Sequence, residues 1–394
     1  MSTPTLHLIA AVAGLICLSA SCAYALLVLF AVVRRRLEAP HRPLSSGPTV
    51  TVLKPLCGVE PDLYANLRSF CMQEYPGDYQ IVFGVRDSSD PALHIARRLV
   101  REFPRLSIDI VVNAQQHGAN RKVSNLINML ARARHEVLII SDSDAFVGPD
   151  WLATVTAPLQ DEKTGMVTCL YHSVPTGTFW SRLGAMYIND WYMPSVLLAR
   201  LFGNREFASG QTMLLRRETL EAIGGLRSFA HHLADDYKLG AAVRALGKKI
   251  VLSSYVPIAR QYDPSLDGLI QHETRWMRTI RVLRPGSFAF LFITFTVPLA
   301  LIGFVLSTAV ASFIGVGLAL LTVCTGARVV LHRLMKRAGD EAGRGGLWLV
   351  PLRDLLICWV WGRAFLTTRV TWRGAEFEVD VHGVMSAEEE PASP

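Results

Sequence analysis

The sequence predicts an α/β domain with a doubly wound, mostly parallel sheet, carried on apolar helices at both ends of the chain. Three observations predict it. Strand-like and helix-like segments alternate from residue 49 to 140, the pattern of a parallel sheet with crossover helices. Apolar runs of roughly 26 residues (Leu8–Val33) and roughly 44 (Phe288–Leu331) stand on either side, long enough for one and about two membrane crossings. The chain has 394 residues and is 51% apolar, which allows a sizeable core together with a membrane part.

Taken in order, residues 6–33 form the first expected span. Arg34-Arg35-Arg36 follow it, whereas a signal peptide would carry its basic residues first. The positive-inside rule places residue 34 onwards in the cytosol. Residues 34–48 read as a linker rich in Pro and Ser. The α/β domain is expected over 49–285. Its strands are Thr49–Leu53, Gln80–Val85, Ser107–Val112, Val137–Ile140, Met166–Leu170 and Thr212–Leu215. Its helices are Pro61–Met72, Pro91–Glu102, Arg121–Ala133, Trp180–Leu201, Ala234–Leu246 and Leu266–Leu283. Residues 286–331 read as a transmembrane hairpin turning near Ser307, and 332–346 as a cytosolic basic loop. Residues 347–367 carry Arg353, Asp354 and Arg363, so a fourth crossing and a re-entrant or interfacial helix both remain open. The 368–394 tail, with Glu388-Glu389-Glu390, reads as disordered.

Composition narrows the function classes. The net charge of +7 sits largely in arginines flanking apolar spans, which argues for anionic lipid headgroups and topology rather than nucleic acid. Seven cysteines without paired spacing give neither a zinc site nor a disulfide framework.

The chain is organised around EVLIISDSDAFVGPDW, residues 136–151. A buried apolar strand ends in Asp142-Ser143-Asp144. Two carboxylates so close repel each other and resist burial. Mg²⁺ or Mn²⁺, held by such a pair together with substrate phosphates, removes the difficulty. Ligands of open α/β sheets sit beyond the carboxyl ends of the strands, where this pair falls; a capped surface turn is the alternative. Asp87 closes the Gln80–Val85 strand at the same edge and suits a nucleotide hydroxyl or base, with Ser89 or Asp90 the better helix cap. Asn120, Lys122 and Asn125 open a helix, where phosphate or plain solvent fits. Asp235 and Asp236 also begin a helix, as dipole partners or as a general base. His272, Arg275 and Trp276 share one helix face and suit a diphosphate and sugar, or lipid headgroups. The aromatics between Trp180 and Met193 suit core packing or a lipid acceptor channel.

In this order, KPLCGVEP (54–61), VRDSSDP (85–91), SDSD (141–144), LADDY (233–237) and HETRW (272–276) resemble the motifs of the ceramide glucosyltransferase family. That resemblance implies a GT-A fold, Rossmann-like with a mostly parallel sheet, and a UDP-sugar donor with Mg²⁺ or Mn²⁺. It implies Asp142 and Asp144 as metal ligands, with Asp87, Asp142, His272, Arg275 and Trp276 around the donor and Asp236 as catalytic base; Lys122 is added to the donor residues from its place at a helix N-terminus. His272 stands where the family has Gln or Arg, and no His-Pro step occurs over Asn189–Ser195. HGANRKVSNLINML, SRLGAMYINDWYMPSVLLAR and HETRWMRTIR resemble a bacterial branch associated with hopanoid biosynthesis. This implies an inverting enzyme of a bacterial inner membrane that moves N-acetylglucosamine to the lipid acceptor bacteriohopanetetrol. A ceramide or diacylglycerol glucosyltransferase, a processive polysaccharide synthase and a non-catalytic membrane scaffold are the alternatives.

Overall fold

In a computed structural model, residues 2–39, 46–204, 208–336, 346–366, 369–372, 375–380 and 382–387 are described. The expectations for residues 40–45 of the linker, 337–345 of the basic loop and Glu388–Glu390 lie outside them. The chain forms two compact units. A helical unit comprises 1–38, 174–204 and 261–368, and an α/β unit comprises 39–173, 205–260 and 369–394.

The α/β unit is built on a seven-stranded sheet. Its strands are β1 (Val50–Pro55), β2 (Tyr79–Val85), β3 (Ser107–Val112), β4 (Val137–Ile140), β6 (Thr164–Thr168), β8 (Met213–Arg216) and β9 (Lys249–Leu252). They lie in the order β3-β2-β1-β4-β8-β6-β9. The short strands β5 (Ala145–Phe146), β7 (His172–Pro175) and β10 (Ile258–Gln261) form a second sheet of three, in the order β5-β10-β7. β3, β2, β1 and β4 run parallel, and β6 pairs parallel with β9. β8 is antiparallel to both of its neighbours. The sheet is therefore mixed but mostly parallel. The apolar run of β4 is unbroken because both its faces are covered. Val137 and Ile139 pack with Val52, Phe70 and Trp151 on one side, while Leu138 and Ile140 pack with Leu126, Met129 and Leu215 on the other.

The elements expected in this unit fall within a few residues of their places, β9 is not among them, and the tail departs. Arg369–Trp372 (β11), Ala375–Val379 (β12) and Met385–Ala387 (β13) form an antiparallel sheet. Its last turn is bound to the chain just before Asp235: the Leu233 amide donates to the Gly383 carbonyl at 3.0 Å and the Met385 amide to the His231 carbonyl at 2.7 Å. The expected disorder is thus corrected for these strands. Their apolar side chains Phe377, Val379 and Met385 are buried, which offsets the ordering cost.

In the helical unit, Thr3–Leu37 and Ala311–Met335 are long and apolar enough to cross a membrane. Pro285–Thr294 and Thr296–Ser307 pass that test only as a pair, bent by 66°. The Leu349–Arg363 helix has 15 residues, about 22 Å of rise against a hydrocarbon core of about 30 Å. Two of its three charges, Arg353 and Asp354, are paired inside the unit. Arg353 donates two bonds to Glu273 at 2.6 and 2.7 Å, and Asp354 accepts two from Arg328 at 3.2 and 2.7 Å. The single helix expected over Trp180–Leu201 is instead Phe179–Met186, a π-helical turn over Tyr187–Tyr192, and Met193–Leu201. Pro194 lacks the amide that a continuous ladder needs there, and the wider turn lies immediately upstream.

Candidate functional site

The site is the carboxyl edge of the parallel strands. The β1–β4 ladder ends with the Ser141 amide donating to the Leu53 carbonyl at 3.2 Å. Beyond it the chain leaves the sheet, carrying Asp142 and Asp144 with it. On the Asp142 carboxylate sits the Lys122 ammonium, 2.7 Å from Oδ1, which also lies 3.5 Å from Asp235 Oδ2. Burial works against that ammonium. Asp142 and Asp235 outweigh it and hold Lys122 well above the usual lysine range. Asp144 is fixed differently: Gln211 Nε2 donates to its two oxygens at 2.9 and 3.1 Å.

Asp236 joins the cluster through Gly210. The Gly210 amide donates to Asp236 Oδ2 at 3.2 Å. A Cβ on Gly210 would lie 2.8 Å from Asp142 Oδ2 and 3.1 Å from Lys122 Nζ, so a side chain there would push into both. Asp142, Lys122, Gly210, Asp235 and Asp236 therefore form one connected group, with Asp144 two residues along the chain. On the other flank, Ser143 Oγ donates to Glu60 at 3.1 Å.

The electrostatics match that crowding. Burial first, then the charges of Asp142 and Glu60, raise Asp144 out of the usual carboxylate range. Asp236 is raised by burial and then by Asp235, with Lys122 opposing. Lys54 is fully buried, and burial lowers it to about 7 against the pull of Asp144 and Asp142. Its ammonium donates to the Asp142 carbonyl and, at 3.3 Å, to Ser141 Oγ.

A divalent cation fits this donor set. The acidic groups offer hard oxygens only, and Asp144 is a crowded carboxylate whose charge a cation would relieve. Among the described residues no three His, Cys, Asp or Glu side chains converge on one metal position. The pair would thus need further oxygens, such as those of a diphosphate.

The remaining expected residues are distributed as follows. Asp87 stands at the carboxyl end of β2 but is exposed, outside the bonded cluster. Its Oδ1 accepts from the Ser89 amide and hydroxyl at 2.8 and 2.9 Å, bonds that hold it below the usual carboxylate range. Asp90 accepts the Ala92 amide at 2.9 Å, so the cap beside Asp87 is Asp90. Asn120 is a helix cap, accepting the Val123 amide at 3.0 Å and donating to the His232 carbonyl at 2.9 Å. Asn125 donates to the Gly84 carbonyl at 2.8 Å and so secures its helix to β2. His272, Arg275 and Trp276 belong to the helical unit. There the His272 and Trp276 rings lie 4.1 Å apart, His272 Nδ1 is 3.6 Å from Asp263, and Trp276 is 5.2 Å from Tyr187.

Sequence reasoning missed Lys54, Glu60, Gly210 and Gln211 as members of this cluster. Lys54 and Glu60 lie inside the quoted KPLCGVEP motif, the one signal that pointed to them. Gly210 and Gln211 carry none, since a Ser-Gly-Gln turn before a strand is ordinary loop composition.

Comparison with known proteins decides the family. The family model described as glycosyl transferase family 21 matches residues 12–385. The chain belongs to glycosyl transferase family 21. Among curated relatives of this family 21 chain, ceramide glucosyltransferase 1 of Caenorhabditis elegans is 25% identical over 251 residues, covering 64% of the chain and 53% of the relative. The ceramide glucosyltransferase of Candida albicans is 31% identical over 114 residues, 26% of the chain and 21% of the relative. The chain spans about half the length of the first of these and less of the second. A solved mannosyltransferase from Pyrobaculum calidifontis, in complex with GDP-Man and Mn²⁺, shares the fold. Its TM-score is 0.51 at 18% identity, covering 91% of this chain and 99% of that one. The GT-A fold expected from the sequence is thus present, and the family is one of enzymes. The expected transfer of N-acetylglucosamine to a hopanoid is overturned. The curated relatives are described as ceramide glucosyltransferases, and nothing among them points to a hopanoid acceptor.

Proposed function

We propose that this protein is a membrane-bound, inverting glucosyltransferase that moves glucose from UDP-glucose to the hydroxyl of a ceramide-like lipid, at the cytosolic face of its membrane. The observation that carries the reading is the connected group of Asp142, Lys122, Gly210 and Asp236 at the carboxyl edge of the sheet, with Asp144 beside it. Glucose and a ceramide-like acceptor come from the names of the curated relatives, which share part of their length with this chain, and the UDP carrier from the motif resemblance.

Asp142 and Asp144 are the residues that would hold Mg²⁺ or Mn²⁺. Such a cation, when bound, offsets the charge that develops on a diphosphate leaving group. Lys122 adds a fixed positive charge beside Asp142 and so favours the same anionic diphosphate. Asp236 takes the proton from the acceptor hydroxyl as that oxygen attacks the anomeric carbon from the face opposite the leaving group. Its raised proton affinity suits a base better than a surface aspartate would. Asp87 contacts the nucleoside in this reading. His272, Arg275 and Trp276 are assigned to the donor by motif resemblance alone.

The test is direct. Purified protein is incubated with UDP-glucose, UDP-N-acetylglucosamine and a panel of ceramides and diacylglycerols, and the products are weighed. Glucosylated lipid carrying one added hexose is expected, and Asp236→Asn should lower its turnover by about 10²-fold or more while UDP still binds. An Asp236→Asn enzyme with wild-type turnover would remove the base from this scheme.

A further inference from the structure

Lys54 has no part in the reaction drawn above, yet its side chain runs beneath the site. It lies on β1, between β2 and β4, and is fully buried. Its ammonium stands 3.7 Å from the centre of the Phe70 ring and donates to Ser141 Oγ and the Asp142 carbonyl. Lysines ordinarily keep their charged head in water. A buried ion adds little stability over an apolar side chain of the same shape, so stability alone gives no reason for one here.

The position of its acceptors supplies a reason. Ser141 forms the last rung of the parallel ladder, through its amide. The next carbonyl, that of Asp142, lies past the end of β4, and it is the one Lys54 engages. The ammonium thus extends the hold of β1 on the chain by one residue, into the turn that carries the carboxylate pair.

We propose that Lys54 is a positioning residue for the cation and diphosphate site. By holding Ser141 Oγ and the Asp142 carbonyl together it sets the Asp142–Asp144 turn in its binding geometry before either ligand arrives. This rests on the function proposed above. A lysine that merely balanced the acidic charge would act with the opposite sign: its removal would deepen the negative potential and tighten cation binding.

The experiment is calorimetric titration of the full-length protein with Mn²⁺ and UDP, alongside thermal unfolding without ligands. Lys54→Met keeps the stem and removes the charge. It is expected to weaken Mn²⁺–UDP binding about tenfold or more, the effect of losing one charged hydrogen bond, with an unliganded midpoint equal to or above wild type. Ser141→Ala removes one acceptor without changing charge and should weaken binding a few-fold. Lys54→Met binding that is unchanged or tighter overturns the inference. If Lys54→Met does not fold, Ser141→Ala decides, and unchanged affinity overturns it. A wild type that fails to bind Mn²⁺ and UDP overturns the proposed function and this inference together, whereas a failure confined to the variants overturns this inference alone.

Discussion

Asp144 and Asp236 are raised by the same cause, burial beside another carboxylate, and this fixes the sign of two measurements. Asp236 must be ionised to accept a proton, so kcat/KM rises with pH along an acidic limb whose midpoint lies above the ordinary aspartate value. Asp235→Asn removes the neighbouring charge and should move that limb to lower pH; a limb that stays in place would separate it from Asp236. The raised affinity of Asp144 favours the folded state at low pH, and that contribution disappears as pH rises and the carboxylate must ionise in its crowded place. Asp144→Asn should therefore raise the melting point of the ligand-free protein at neutral pH by about 2–4 °C, the shift that about 1 kcal/mol produces in a domain this size. The same variant should lose the further stabilisation that Mn²⁺ with UDP gives the wild type. Differential scanning calorimetry with and without those ligands reads both effects. At this scale the sequence exposed the aspartates, because carboxylates directly after an apolar strand are out of place. Lys54 and Gln211 stayed hidden, because a lysine near a strand's end reads as solvated until its side chain is seen to run inward.

The elements show a similar division. β4 was legible because a strand covered on both faces leaves an unbroken apolar run, and β1 to β3 because short, largely apolar segments alternate with amphipathic helices. The direction of β8 was not, since a short apolar strand carries the same composition either way. Nor were the C-terminal strands, whose last turn bonds to residues about 150 positions earlier in the chain. Their bonds to His231 and Leu233 fall immediately before Asp235 and Asp236. Removing residues 368–394 should accordingly loosen the segment that leads into the proposed base while leaving Asp142, Asp144 and Lys54 in place. We expect kcat to fall about tenfold or more, as small misplacements of a reacting group do, with little change in the affinity for Mn²⁺ and UDP. Steady-state kinetics paired with calorimetry separates the two, and a truncated chain with full kcat would show the strands to be dispensable.

Across the whole molecule, apolar length at both ends announced the helical unit, but not that its first helix is part of a core. Leu18, Cys22 and Ala25 of the Thr3–Leu37 helix pack with Ala300, Cys324 and Ala327. Gly14 and Gly303 let two backbones meet: a Cβ on Gly14 would lie 2.6 Å from the Gly303 carbonyl oxygen, and one on Gly303 2.7 Å from that of Gly14. Close approach at small residues is how helices associate where lipid offers no hydrophobic drive. Ser21 adds a hydrogen bond of 2.7 Å to the Thr296 carbonyl. A detachable tether would leave no such imprint on its neighbours. A chain lacking residues 2–37 should therefore remain in membranes after an alkaline wash, because Ala311–Met335 can cross alone. It should nevertheless aggregate on detergent extraction and lose activity, since the facing surfaces of two helices are stripped at once. Gly303→Leu in the full-length protein is the milder version: it forces the helices apart without removing one, and should lower the melting point at an overpacking cost of about 1–3 kcal/mol. Size-exclusion chromatography of both proteins in the same detergent distinguishes the cases. A shortened chain that elutes as a single active species would make the first helix an anchor after all, and Gly303→Leu should then melt like the wild type.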